Sequence, residues 1–184
     1  MSAGQRCDSL AGTDASWDDS DVYDGEVRQN DYKFIGIKDR LVYYDSPYPY
    51  PETADWAGPY VSGFSMQKRP MIIMEANSTI PNFCYKKRVW FIDPISFKLY
   101  NSTMFDQKGR LWKEQYIAVT KSMKDPTNPL NIPAAMTQFI DWIAQHASPW
   151  HFLPPEKGQK NGPNQNIGWD TGLFTPEGLK KMGH

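Results

Sequence analysis

The chain has 184 residues, and its 20 Lys and Arg balance 21 Asp and Glu, so a net charge of −1 provides no field drawing it to nucleic acid or an acidic membrane. One domain is expected at this length, which can bury about 70% of its unfolded surface without disulfides or metals as props. Leu, Ile, Val and Phe number only 35, but near-zero charge argues against disorder, and seven Trp with ten Tyr supply the missing apolar area.

Residues 1–20 are rich in Ser, Gly, Ala and Asp and hold few apolar anchors, which predicts a flexible, solvated acidic entry segment. Its aspartates lack the ligand alternation and closing Glu of a calcium loop. The start carries no apolar h-region, so no secretory signal is read in this chain. Residues 32–45 mix β-branched and aromatic types and predict a strand, ended by the Pro-rich SPYPYPE. Residues 47–70 then hold five prolines among Tyr48, Tyr50, Trp56, Tyr60 and Phe64, the composition of a long loop packed on the body.

The clearest pattern lies in the middle. A short strand at 71–76 precedes three strand-like runs, PNFCYKKRVWFID, SFKLYNSTMFD and GRLWKEQYIAVT, which form a β-meander. Asp93 and Pro94 suit a type I turn, and Gly109 suits the left-handed bulge position of a second turn. A two-residue first connection and a three-residue bulged second one place Val89, Phe91, Tyr100, Met104, Trp112 and Tyr116 on one face. Trp90, Ile92, Phe97, Leu99, Phe105, Leu111 and Ile117 then share the other. Both faces are apolar enough to be covered. The run Lys86, Lys87, Arg88 alternates between faces and reads as a solvated strand end.

After a loop at 122–133, Pro133 suits a first helical position. In AAMTQFIDWIAQHA, Met136, Phe139, Ile140 and Ile143 recur at steps of three and four, which predicts one main helix lying on the sheet. Residues 148–172 read as a surface-hugging tail anchored by Trp150, Phe152 and Trp169, and Thr175 as the cap of a last helical turn.

The apolar runs at 71–74 and 89–92 stop far short of the roughly 18 residues of a membrane-spanning helix. Cys7 and Cys84 form no spaced pairs, so neither a zinc site nor a disulfide framework is supported. A single bridge between them stays open, and with it the redox compartment. His146 and His151 have no carboxylate or Cys at ligand spacing, so no metal or other cofactor is expected. Serine-nucleophile and phosphate-cradling signatures are absent, and a noncatalytic protein is expected.

The segment YKKRVWFIDPISFKLYNSTMFDQKGRLWKE resembles a bacterial family labelled outer-membrane lipoprotein-sorting protein, domain of unknown function 1329. The resemblance rests on Tyr85, Lys87, Arg88, Ile92 and Asp93, then Asp106, Gly109, Leu111 and Trp112, with Phe105 where the family has Tyr. YDGEVRQNDYKFIGIKDRLVYYD upstream and LFTPEGLKKMGH downstream are similar too, so it covers residues 21–184 and the C-terminal half of family members. It implies a fold like LolA and LolB, a curved antiparallel sheet around an apolar cavity, and a periplasmic or outer-membrane setting.

The combined expectation is an α+β, mostly antiparallel half-barrel over residues 21–184, with one helix packed on it. It binds a lipid, a lipoprotein acyl chain or another hydrophobic ligand through Val89, Phe91, Tyr100, Met104, Trp112 and Tyr116. An envelope transport partner is expected, and no nucleic acid. The alternative is an interaction module whose exposed sheet edge pairs with another chain, including a second copy of itself.

Overall fold

Seven strands form one antiparallel sheet in simple chain order among the residues that the computed structural model describes, which are 3–44, 65–119, 134–151, Thr175 and Glu177. They are β1 (Asn30–Tyr43), β2 (Met66–Ser78), β3 (Lys87–Ile92), β4 (Leu99–Phe105), β5 (Leu111–Val119), β6 (Ala134–Asp141) and β7 (His146–His151). Each strand pairs with its successor, so the meander read from three central segments extends in both directions.

The turns show why. The carboxylate of Asp93 accepts from the amides of Ile95 and Ser96 at 2.9 and 2.8 Å, and Phe97 takes a positive φ of 55° to close the loop on Lys98. Asp141 repeats the device, accepting from Ile143 and Ala144 at 2.9 and 2.8 Å, with Gln145 at φ 55°. Asp106 accepts from the amides of Lys108 and Arg110, and Gly109 occupies the left-handed bulge position at φ 78°. An aspartate that captures the amides two and three residues on turns the chain without Gly-rich sequence.

The expected helix after Pro133 is not formed. Residues 134–141 are strand β6, paired with β5 from Val119↔Ala134 to Lys113↔Asp141, and the next residues turn into β7. Residues 136–140 are all buried, so apolar groups serve both sides of a strand, and the three-and-four spacing mimics a helical stripe. Met66–Pro70 is likewise strand rather than loop. Pro70 lies where β2 is paired by β1 alone, since pairing with β3 starts at Ile72. The rest of the Pro-rich loop, the 122–133 loop, Phe152, Trp169 and most of the last helical turn lie outside the described residues.

Register shifts at Phe34/Gly36, Phe91/Ile92, Met104/Phe105 and Ala118/Val119 mark bulges, which bend strands and increase their twist. Gly36 accepts the first of these at φ 151°. The sheet curves until β1, four places away in strand order, meets β5 across its inner face: the rings of Tyr43 and Tyr116 make an edge contact at 6.3 Å.

The outer face is covered by the N-terminal segment, a short helix α1 (Ala3–Arg6) followed by 3-10 turns at Trp17–Val22 and Val27–Gln29. The expected solvated acidic tail is corrected at its centre, where Asp18 and Asp19 are 1% and 0% exposed. The physical reason is a complementary cation. Arg88, expected at a solvated strand end, is 2% exposed and reaches Asp18 at 2.8 Å and Asp19 at 3.0 Å. Cys7 and Cys84 form a disulfide that ties the segment to the chain before β3.

Candidate functional site

The curl of β1 over the sheet leaves a cleft of about 380 Å³ on the inner face. Its floor comes from alternate residues of three central strands. Val89 and Phe91 stand on β3, opposite Thr103 and Asn101 of β4, and Asn101 and Thr103 face Tyr116 and Glu114 of β5. Phe105 extends the floor, and residues 40–43 of β1 form the wall. The lining is amphipathic, with aromatic and aliphatic side chains set beside Arg40, Asn101, Thr103 and Glu114, and such convergent polar groups can orient a small molecule.

Four of the six residues expected on one face line this cleft: Val89, Phe91, Tyr100 and Tyr116. Met104 and Trp112 do not. Met104 pairs with Arg88, on the outer-face side, and is fully buried with Phe83 and Tyr85. Trp112 packs on that cluster, its ring 5.4 Å from Tyr85, and donates its Nε1 hydrogen to Asp141 at 2.9 Å. Two features broke the assumed alternation. The first connection runs through residues 93–98 rather than two residues, and bulges fall between Leu99 and Asn101 and at Trp112. Phe105, expected on the opposite face, therefore joins the cleft, and Phe97 stands in the turn at 69% exposure.

The polar groups around the cleft are mostly spoken for. Arg69, stacked 4.1 Å from the ring centre of Tyr44, pairs with Asp93 at 2.8 Å. Burial opposes the Asp93 charge, but amides of Ser96 and Ile95 and the Arg69 guanidinium hold its carboxyl below the usual range. Lys87 pairs with Glu75 at 2.9 Å, and Glu114 accepts from Trp142 Nε1 at 2.9 Å. Burial, with Asp93 nearby, pushes the Tyr100 hydroxyl far up, so it stays protonated. Asn101, the start of a sequon, is buried and donates its amide to the Gln115 carbonyl at 2.9 Å.

On the outer face, sequence reasoning missed a polar network. Asp19 accepts from the Ser16 amide at 2.9 Å, the Ser16 hydroxyl at 2.7 Å and the Tyr85 hydroxyl at 2.8 Å, besides Arg88. Arg6 bridges Asp18 to Gln29, and the Arg88 guanidinium lies 4.6 Å from the ring centre of Tyr85. Lys113 and Ser148 fix the Asp14 backbone and carboxylate at 2.6 Å each. The signal available in the sequence was Asp18-Asp19 before a strand carrying Arg88, with no rule to join them over that separation. Beside this network, Tyr23, Val27, Tyr32, Met74, Trp90 and Leu99 line a second, open and almost wholly apolar groove of about 530 Å³.

The family description that matches this chain is a protein of unknown function, DUF1329, over residues 1–180. The chain belongs to the DUF1329 family. The match begins before the expected residue 21 and takes in the docked N-terminal segment. Among solved structures, 98% of the chain aligns with 60% of a domain from Vibrio parahaemolyticus named, as a provisional assignment, an outer membrane lipoprotein-sorting protein, at 14% identity and a TM-score of 0.58. A DUF1329 family protein from Desulfovibrio piger gives 14% identity over 97% of this chain and 58% of its own, with a TM-score of 0.57. The LolA superfamily protein NE2245 from Nitrosomonas europaea gives 9%, 94%, 60% and 0.51 in the same terms. No curated protein matches the chain. At these identities the likeness shows the fold, and the chain spans about 60% of the length of these relatives.

In this DUF1329 chain the residues of the resemblance mostly hold the fold. Arg88 and Tyr85 anchor the N-terminal segment, Asp93, Asp106 and Gly109 make the turns, and Trp112 ties β5 to Asp141. Of the positions that carry the resemblance, Phe105, where the family has Tyr, lines the cleft.

Proposed function

We propose that the protein is a noncatalytic binder of a lipid, a lipoprotein acyl chain or a comparable hydrophobic ligand in the bacterial cell envelope, with the ligand held in the inner cleft. The observation that carries this reading is the cleft itself, about 380 Å³ between Val89, Phe91, Phe105 and Tyr116 below and residues 40–43 above. An alkyl chain leaving water for such walls gains about 0.8 kcal/mol per buried methylene. The LolA superfamily likeness and the lipoprotein-sorting name of a structural neighbour support it, and the Cys7–Cys84 disulfide fits an oxidising compartment such as the periplasm. An envelope transport partner would receive the ligand.

The test is native mass spectrometry of the purified protein, lipid extraction, and titration with fatty acids of increasing length. A bound lipid and an affinity that rises with each methylene are expected, and an affinity flat with chain length would overturn the reading.

A second reading, an interaction module at the sheet edge, is favoured by β1. This edge strand exposes Phe34, Ile37 and Leu41 at 61%, 58% and 63%, whereas the other edge, β7, contains Pro149. Lipid-free dimerisation at micromolar concentration, abolished by Ile37→Lys, is what this reading requires.

A further inference from the structure

Among the cations around the cleft, Arg69 and Lys87 each have a carboxylate partner, with Asp93 and Glu75. Arg40 has none among the described residues. Its guanidinium is exposed and sits 4.6 Å from the ring centre of Phe91, at the boundary between the β1 wall and the apolar floor. A guanidinium stacked on a ring keeps its planar fork of N–H donors available to a carboxylate, and the stacking lowers the entropy lost in using them. Glu114, on the far strand of the floor, disfavours a second negative charge.

We propose that the cleft selects a single-chain amphiphile with a monoanionic carboxylate head, the head meeting Arg40 and the chain lying along Val89, Phe91 and Tyr116. This rests on the cleft being the ligand site and adds the chemistry of the head group. The volume, near the low end of the roughly 300–1,000 Å³ of small-molecule pockets, suits one chain rather than two. A charge-assisted bidentate contact is the kind of interaction that separates an acid from a neutral analogue of equal length.

The test compares dodecanoate with dodecanol, at a pH where the acid is ionised, by displacement of a neutral fluorescent probe from the full chain. Wild type should bind the acid about tenfold tighter or more, a preference that added salt weakens. Arg40→Gln should bring the two ligands to within about twofold, chiefly by weakening the acid, and Arg40→Lys should restore part of the preference. Because Arg40 is exposed, an unchanged near-ultraviolet spectrum checks that each variant at that position is folded. Equal affinities in wild type, or a preference that survives Arg40→Gln, would overturn the proposal while leaving the cleft as a binding site. Displacement by neither ligand would overturn the cleft reading and this inference with it. A lysophosphatidic acid arm distinguishes the source of the anion: tighter binding of the phosphate than of the acid also rejects a carboxylate-selective site.

Discussion

Arg88 and Asp19, 69 residues apart in the chain, meet at 3.0 Å with almost no access to water. The contact joins a strand in the middle of the sheet to the segment that covers its outer face. Burial works against the guanidinium charge, but Asp19 and Asp18 together outweigh that cost and raise the Arg88 pKa. Burial, with the same carboxylate, pushes the Tyr85 hydroxyl well up, so it remains a donor to Asp19.

Removing one side of such a pair leaves buried charge uncompensated. Arg88→Met should cost about 3–5 kcal/mol in urea unfolding. Adding Asp18→Asn and Asp19→Asn to that variant should recover part of the loss, a non-additivity that a double-mutant cycle measures. A loss below about 1 kcal/mol for Arg88→Met would show that the N-terminal segment is not held by this cluster.

The Cys7–Cys84 bridge closes a separation of 77 residues. Replacing both with serine should lower stability by about 2–4 kcal/mol, mainly by freeing the unfolded chain. Thermal melts of wild type with and without reductant should reproduce the difference, and the serine variant should not respond to reductant.

Acid should weaken the fold through Asp93. Its folded-state pKa is depressed below the ordinary value of 3.8, so as the pH falls the unfolded chain takes up the proton first. The stabilisation is therefore complete above about pH 4 and is lost as the pH drops through the folded-state pKa. Glu75, lowered by the Asn77 amide and Lys87, adds a parallel contribution. Urea midpoints measured across this range should fall less steeply in Asp93→Asn than in wild type.

Gly109 adopts φ 78°, and no atom lies within 4 Å of the point a Cβ would occupy, so backbone strain alone opposes a replacement. Gly109→Ala should cost about 1–2 kcal/mol, and Gly109→Asn less, because Asn visits this conformation more readily. Equal losses for the two would point to the side chain rather than the backbone.

Filling the cleft should separate binding from folding. Val89 stands half-buried on the floor, with Glu75 and Thr103 on either side. Val89→Trp should reduce dodecanoate affinity by at least about tenfold, or about 1.4 kcal/mol, with the melting temperature retained. Retained binding in a folded Val89→Trp protein would move the ligand away from this cleft, with the outer groove at Trp90 and Leu99 as the next place to look.

The antiparallel meander is legible in the chain alone, because β-branched and aromatic runs interrupted by turn residues have few other solutions, and the turns at Asp93 and Gly109 can be named with their mechanism. Strand alternation also groups Val89, Phe91, Tyr100 and Tyr116. The remaining features depend on contacts made only in the folded protein. Local periodicity could not choose between helix and strand for residues 134–141, since only pairing with β5 makes a strand buried on both sides favourable. Bulges, which insert one residue and are invisible in a pattern of period two, sent Met104 and Trp112 to the outer side and Phe105 to the cleft. Asp18 and Asp19 looked solvated because their partner, Arg88, becomes a neighbour only when the chain folds back over the sheet, and a buried charge is stable only where such a partner is already in place.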